Sequence, residues 1–225
     1  MGSFADYRGT PGIDSWTRQL LADPAMARMG HGQRADDANL GLGWVYYGLA
    51  RALRPRSVVV IGSWRGFVPL VFGRALADNL EGGEVVFIDP SLVDDFWKDP
   101  ARVGAHFLRF GVANICHHRA TTQEFAQSAA YRELGEVGML FIDGLHTAEQ
   151  ARFDYEAFRD RLAPGALVLF HDTLRVRTSR IYGDDKPYEH RVKDFVERLR
   201  ADPALELLSL PVGDGLTLLR RRSAA

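Results

Sequence analysis

Five short apolar runs punctuate the chain between turn residues: SVVVI (Ser57 to Ile61), EVVFI (Glu84 to Ile88), NICHH (Asn114 to His118), VGMLFI (Val137 to Ile142) and ALVLF (Ala166 to Phe170). Several are apolar at successive positions, which predicts strands buried on both faces of a parallel sheet. The segments between them are helix-length and carry helix-start signals. Pro69 and Pro100 stand where a first helical turn needs no N–H, and Asp99 is a natural cap for the second of these. Thr121 with Glu124 three residues on predicts a capping box, and Thr147 repeats that logic before ARFDYEAFRDRL. Pro164-Gly165 is expected to end this helix.

Strands alternating with helices imply βαβ units with helices on both faces. The tail breaks the alternation. A helix expected over Tyr188 to Arg200 is followed by LELLSLP and LTLLRR, with Val212-Gly213-Asp214-Gly215 as the hairpin signal between them. The predicted fold is therefore α/β and doubly wound, with a mostly parallel seven-stranded sheet and an antiparallel C-terminal hairpin. Residues 1–56 are expected to form a helical lid or oligomer arm, and residues 57–225 the ligand-binding catalytic domain. Trp44, Tyr46 and Tyr47 in the arm predict a homodimer or higher homo-oligomer.

Composition narrows the function. Of 225 residues, 28 are basic and 29 acidic, a net charge of −1 that excludes a strongly basic nucleic-acid binder. One cysteine, Cys116, excludes an internal disulfide framework and favours a reducing compartment. No apolar run reaches the roughly 20 residues of a membrane span, and the opening MGSFADYRGT has no secretory-leader pattern. A cytoplasmic protein acting on a small molecule is expected, with no membrane or nucleic-acid partner.

In open α/β sheets, ligands sit beyond the carboxyl ends of the strands. The first such loop reads Gly62-Ser63-Trp64-Arg65-Gly66, and the second strand ends in Asp89, where a carboxylate can accept hydrogen bonds from a ribose. A loop of this kind also serves as a plain tight turn. The dinucleotide pattern G-x-G-x-x-G and a phosphate-loop lysine are both missing, and Trp64 would crowd a pyrophosphate. An adenosine cofactor without phosphate, S-adenosylmethionine, satisfies these constraints.

VVVIGSWRG, VFIDPS, FIDGLH and LVLFHDT, in this order, resemble the small-molecule class I methyltransferases that modify sugars and antibiotics; the likeness runs from about Arg54 to Arg220. It implies S-adenosylmethionine-dependent transfer to a hydroxyl of a natural product or sugar. Cofactor contacts then fall on Gly62, Ser63, Trp64, Gly66, Asp89, Thr121 and Asp143. Where the family usually carries an acid two residues before the first glycine, this chain has Val60.

Methyl transfer to oxygen needs a general base, a metal ion or both. Asp143 and His146 follow the fourth strand. In related metal-dependent O-methyltransferases the matching loop holds a metal-ligand Asp, and in the macrolide sugar enzymes a His stands at the second position. By that resemblance His146 is the base and Asp143 its catalytic neighbour. His171-Asp172 after the fifth strand stands where those relatives place an acidic pair. Asp143, His171 and Asp172 are accordingly the candidate ligands for Mg²⁺ or another divalent ion, His171 suiting Mn²⁺, Fe²⁺ or Zn²⁺ better. Arg175, Arg177 and Arg180 are read as a solvated basic cluster, and Cys116-His117-His118 as structural, because neighbours on a strand face opposite ways. The alternatives are an N-methyltransferase of a small amine, a dinucleotide-dependent oxidoreductase, or a binding protein that kept the fold without catalysis.

Overall fold

The computed structural model describes residues 12–222. The first eleven residues, on which part of the expected arm and the expectation of no secretory leader fall, lie outside the described residues. The parallel strands are β1 (Ser57–Ile61), β2 (Glu84–Ile88), β3 (Ile115–His118), β4 (Val137–Ile142) and β5 (Leu162–His171). The antiparallel closing pair is β8 (Leu205–Leu210) and β9 (Leu216–Arg221), and the seven strands run in the order β3-β2-β1-β4-β5-β9-β8.

Strand alternation sorts the core into two layers. Val58, Val60, Phe87, Met139, Phe141 and Leu169 face one cluster. Val59, Ile61, Ile88, Leu140, Ile142, Val168 and Phe170 face the other. The helices α1 (Ile13–Leu21), α2 (Gly43–Leu53), α3 (Phe67–Asn79) and α4 (Pro100–Leu108) cover the first face. The second is covered by α5 (Thr122–Gln127), the short α6 (Ala129–Glu133), α7 (Ala148–Arg159) and α8 (Val192–Leu199). Two of the helix starts close as expected. Asp99 Oδ1 accepts from Ala101 N at 2.9 Å ahead of Pro100, and Thr121 and Glu124 form a reciprocal capping box. Thr147 caps α7 by accepting from Gln150 N, but the Gln150 side chain turns away to Asp154.

Two local expectations are corrected. Pro164-Gly165 does not end a helix: α7 stops at Arg159, and β5 runs through the pair as an irregularity, Val137 pairing Leu162 but Met139 pairing Leu167. Gly165 supplies the positive φ of 77° at this point, where a proline is also tolerated. The helix expected from Tyr188 starts only at Val192. Tyr188–His190 is instead a strand, β7, paired antiparallel with β6 (Arg177–Ser179). Glu189 is exposed between a half-buried Tyr188 and a buried His190, a two-residue period that a helical reading absorbs. Parts of the segment before β1 pack into the core. Trp16 is 1% exposed and its Nε1 donates to Phe110 O at 2.8 Å. Tyr46 is fully buried between Phe72 and Phe141, so of the aromatics invoked for self-association only Trp44 is substantially exposed, at 37%. No helix among the described residues is long and apolar enough to cross a membrane.

Because α1 shares the sheet's core, Trp16→Ala is expected to lower stability by about 3–5 kcal/mol, the cost of emptying a buried aromatic site. Urea denaturation followed by far-ultraviolet circular dichroism checks this.

Candidate active site

The register sets the site. Ile61 pairs with Ile88 on one side and Ile142 on the other, and Ile142 pairs with Phe170. The residues one step further, Asp89, Gly62, Asp143 and His171, therefore stand in a row across four adjacent strand ends. The strand order reverses between β1 and β4, the place where open α/β sheets bind ligands. A cavity of about 640 Å³ opens there, lined among others by Gly62, Asp89, Asp143, His146, His171 and Asp172.

At its β1 end, Gly62 has φ 71° and donates to Ile88 O at 2.9 Å; a Cβ here would meet Asp143 O at 2.3 Å. Ser63 N reaches Asp89 Oδ2 at 3.4 Å, and Ser91 N donates to Asp89 Oδ1 at 2.8 Å. Burial pushes the Asp89 carboxyl up to about 6 despite these N–H donors. Trp64 lies on the rim, 40% exposed, its carbonyl accepting from Trp97 Nε1 at 2.7 Å. Thr121 lines the cavity, whereas Gly66 does not: it precedes α3 and faces Trp97 and Phe107. Asp154 of α7, absent from the expected set, also reaches the cavity; Gln150 Nε2 donates to it at 2.7 Å, and burial pushes it up to about 6.

The other end holds four histidines around two carboxylates. His171 Nδ1 lies 2.9 Å from Asp143 Oδ1 and 3.3 Å from Asp172 Oδ1. Burial opposes a charge on His171, but Asp143 and Asp172 outweigh it and raise the imidazole to about 9. His146 sits between the two carboxylates, 3.7 Å from Asp143 Oδ1 and 3.7 Å from Asp172 Oδ2. These spacings are too long for hydrogen bonds. Burial holds His146 down at about 4. Asp172 adopts φ 56°, a left-handed backbone costing a non-glycine residue about 1–3 kcal/mol. Its Oδ2 accepts from Arg177 Nη2 at 2.8 Å and faces His190 Nδ1 at 3.1 Å. Arg177 and His190 are cross-strand partners in the β6–β7 hairpin.

Strand alternation divides this group. Asp143 and His171 continue the positions of Phe141 and Leu169, toward the face covered by α1 to α4, and meet His31 there. His146, Asp172 and His190 gather on the side of α7 and α8. Ligand atoms within each trio, His31–Asp143–His171 and His146–Asp172–His190, lie within 4.8 Å of one another. The three residues expected to share a metal thus fall two to one between the trios, although His171 Nδ1 touches both carboxylates. His31, His190 and Arg177 were not among the expected site residues. His31 sits between Gly30 and Gly32 with no partner nearby in sequence, His190 was hidden in an expected helix, and Arg177 was read as solvated although it pairs with Asp172 and, at 3.1 Å, with Asp214. Cys116 Sγ is 3.4 Å from His118 while His117 packs on the opposite side against Phe87 and Trp97, in keeping with the structural reading of that run.

A seven-stranded sheet of this order, closed by an antiparallel pair with a cavity at its switch point, is the class I S-adenosylmethionine-dependent methyltransferase fold. Residues 59–173 match the family described as Methyltransferase domain, and the chain belongs to that family as a methyltransferase enzyme. The dinucleotide-dependent oxidoreductase reading is thereby set aside. The chain is 30% identical over 143 residues to the uncharacterized protein y4gI of Sinorhizobium fredii, covering 58% of this chain but only 15% of that protein. It is 26% identical over 209 residues to tricin synthase 1 of Oryza sativa subsp. japonica, covering 83% and 73% of the two chains. Among solved structures, an O-methyltransferase from Bacillus cereus in complex with SAH superposes with a TM-score of 0.65 at 17% identity, covering 97% of this chain and 94% of the other. The O-methyltransferase TomG from Streptomyces achromogenes, in complex with SAM, gives 0.64 at 17%, covering 98% and 94%. At these identities the superpositions establish the fold.

Gly62→Ala is expected to destabilise the protein by at least about 1–2 kcal/mol, the cost of a left-handed alanine, because its methyl also runs into the Asp143 backbone. A lowered urea midpoint with the sheet's circular dichroism retained at zero denaturant checks it.

Proposed function

We propose that the enzyme transfers a methyl group from S-adenosylmethionine to a hydroxyl of a small molecule, a natural product or sugar. The observation that carries this reading is the single cavity shared by Asp89, at one end of the row of strand ends, and His146, beside Asp143 at the other. S-adenosylmethionine supplies a methyl on a sulfonium; the acceptor oxygen bonds to it as the carbon–sulfur bond breaks. Asp89 holds the ribose hydroxyls, Gly62 and Ser63 approach the amino-acid portion, and Trp64 covers it from the rim. Thr121, with Asp154, takes the adenine side. Val60 is buried within β1 and offers nothing to the amino-acid end, so backbone and serine groups of the loop serve there.

The acceptor must lose its proton as it attacks. His146 suits this task because burial keeps it neutral near pH 7, while Asp143 and Asp172, each 3.7 Å away, stabilise the imidazolium as it forms. A divalent ion held by Asp143 and His171, with Asp172 alongside, would supply Lewis-acid activation of the hydroxyl. Tyr182 lies tilted against Tyr188 at 5.6 Å, and Tyr188 stacks on His190 at 5.1 Å, a ring wall suited to a flat acceptor. Self-association belongs to the same proposal, and light scattering at micromolar concentration tests it.

His146→Ala should lower kcat by roughly 10²–10⁴ and leave S-adenosylhomocysteine affinity nearly unchanged. Full activity in this variant, with activity instead abolished by chelator, would move deprotonation from His146 to the ion. Full activity in both would indicate a neutral amine acceptor.

Asp89→Ala should weaken S-adenosylhomocysteine by roughly ten- to a hundredfold, equivalent to about 1.5–3 kcal/mol of charge-assisted hydrogen bonding. The acid of Asp89 is raised, so its ionised form is lost as pH falls through about 6. Wild-type affinity should therefore be constant above that pH and decline below it, by up to about tenfold per unit. Calorimetric titrations across the range, flat for Asp89→Ala, check the assignment.

A further inference from the structure

We propose that Asp154, Gln150 and Gln123 form a one-way amide relay that selects a 6-aminopurine over a 6-oxopurine, an inference that rests on the S-adenosylmethionine reading of the cavity. All three residues line that cavity. Gln123 Nε2 donates to Gln150 Oε1 at 2.9 Å, and Gln150 Nε2 donates to Asp154 Oδ1 at 2.7 Å. Asp154 is 0% exposed, and its Oδ2 has no hydrogen-bond partner among the described residues. Desolvation dominates its surroundings, offset only by Thr122 and Gln150. A buried acid with so little compensation is costly. Asparagine would avoid that cost but could turn either end of its amide to Gln150. Gln150 itself stands three residues after the Thr147 cap, where its side chain could complete a capping box, yet it turns to Asp154 instead.

The anchor sets the direction of the relay. An ionised carboxylate only accepts, so Gln150 turns its amino group to Asp154 and its carbonyl to Gln123. Gln123 spends one N–H on Gln150, which leaves its Oε1 and second N–H for a ligand. Reversing the amides would set Gln150 Oε1 against Asp154 Oδ1, two acceptors without a proton between them. A lone glutamine can flip to suit either kind of base edge; this one is held. With the ribose at Asp89 on β2 and the reacting end toward Asp143 on β4, the base extends the other way, to the β3 side where Gln123 lies. Adenine presents its 6-amino donor beside the N1 acceptor, the complement of Oε1 and N–H. A glutamine amide reads adenine by such a two-point contact. Hypoxanthine presents O6 and N1–H, the reverse at both positions. Gln123 thus touches the base, while Gln150 and Asp154 are positioning residues.

The test is calorimetric titration of the full chain with S-adenosylhomocysteine and with its deaminated analogue S-inosylhomocysteine. Burial pushes Asp154 up to about 6, so the titrations are run well above that pH, where it is ionised. Wild type should prefer the adenine compound by roughly 10–100-fold, the worth of a two-point base contact. Asp154→Asn lets the relay run either way, so it should gain affinity for S-inosylhomocysteine and bring the two ligands near parity. Loosened packing around a lost acid would weaken both ligands and give no such gain. Gln150→Leu frees Gln123 to flip and should also approach parity, which decides the matter should Asp154→Asn fail to fold. Equal wild-type affinities, or an unchanged preference in either folded variant, would overturn the relay while leaving the cofactor reading in place. A wild type that binds neither compound would remove the S-adenosylmethionine reading itself, and the relay with it.

Discussion

Two carboxylates, Asp143 and Asp172, stand within reach of one histidine at the ends of adjacent parallel strands, and both are nearly removed from water. Buried negative charge in this density requires compensation, because desolvation would otherwise drive protons onto the acids. The surrounding structure answers that requirement. His171 is held toward its charged form, Arg177 and His190 close on Asp172 from the β6–β7 hairpin, and both acids remain ionised, shifted below the usual carboxylate range. The hairpin is thus tied electrostatically to the strand ends as well as by packing.

The division of labour within the cavity follows from the sheet's pleat. Since alternate side chains face opposite layers, consecutive residues 171 and 172 are turned toward different partners. His171 meets His31 from the segment before β1, while Asp172 meets Arg177 and His190 of the hairpin. A positive φ at Asp172 aids this separation, a local strain maintained by the ion pairs made there. His146, from the loop after β4, stands between the two carboxylates without hydrogen-bonding to either.

At the opposite end, the cavity is governed by close backbone approach. Gly62 packs against the Asp143 main chain, so the loops after β1 and β4 are in contact through backbone. This fixes the spacing of two loops that line the same cavity.

The strands, their order of succession and the closing hairpin were legible in the sequence because each rests on local signals: apolar runs, capping residues and Asp-Gly turn chemistry. Asp89, Asp143, His146, His171 and Asp172 were legible for the same reason, since strand ends in an α/β fold mark the ligand face. Burial of Tyr46 was not, as an aromatic in a leading segment reads the same whether it packs on its own sheet or on a second copy. Nor were His31, His190 and Arg177. A lone histidine between glycines carries no pattern, and a three-residue strand is too short to express its period against a following helix. The sequence by itself determined the layered sheet and which loops face the ligand, since those follow from the hydrophobic period and the strand ends. Only the tertiary structure decided which carboxylate meets which imidazole, because those contacts span up to 112 residues of chain, from His31 to Asp143, and depend on strand register and pleat, through which the partners of Asp143 and Asp172 are selected.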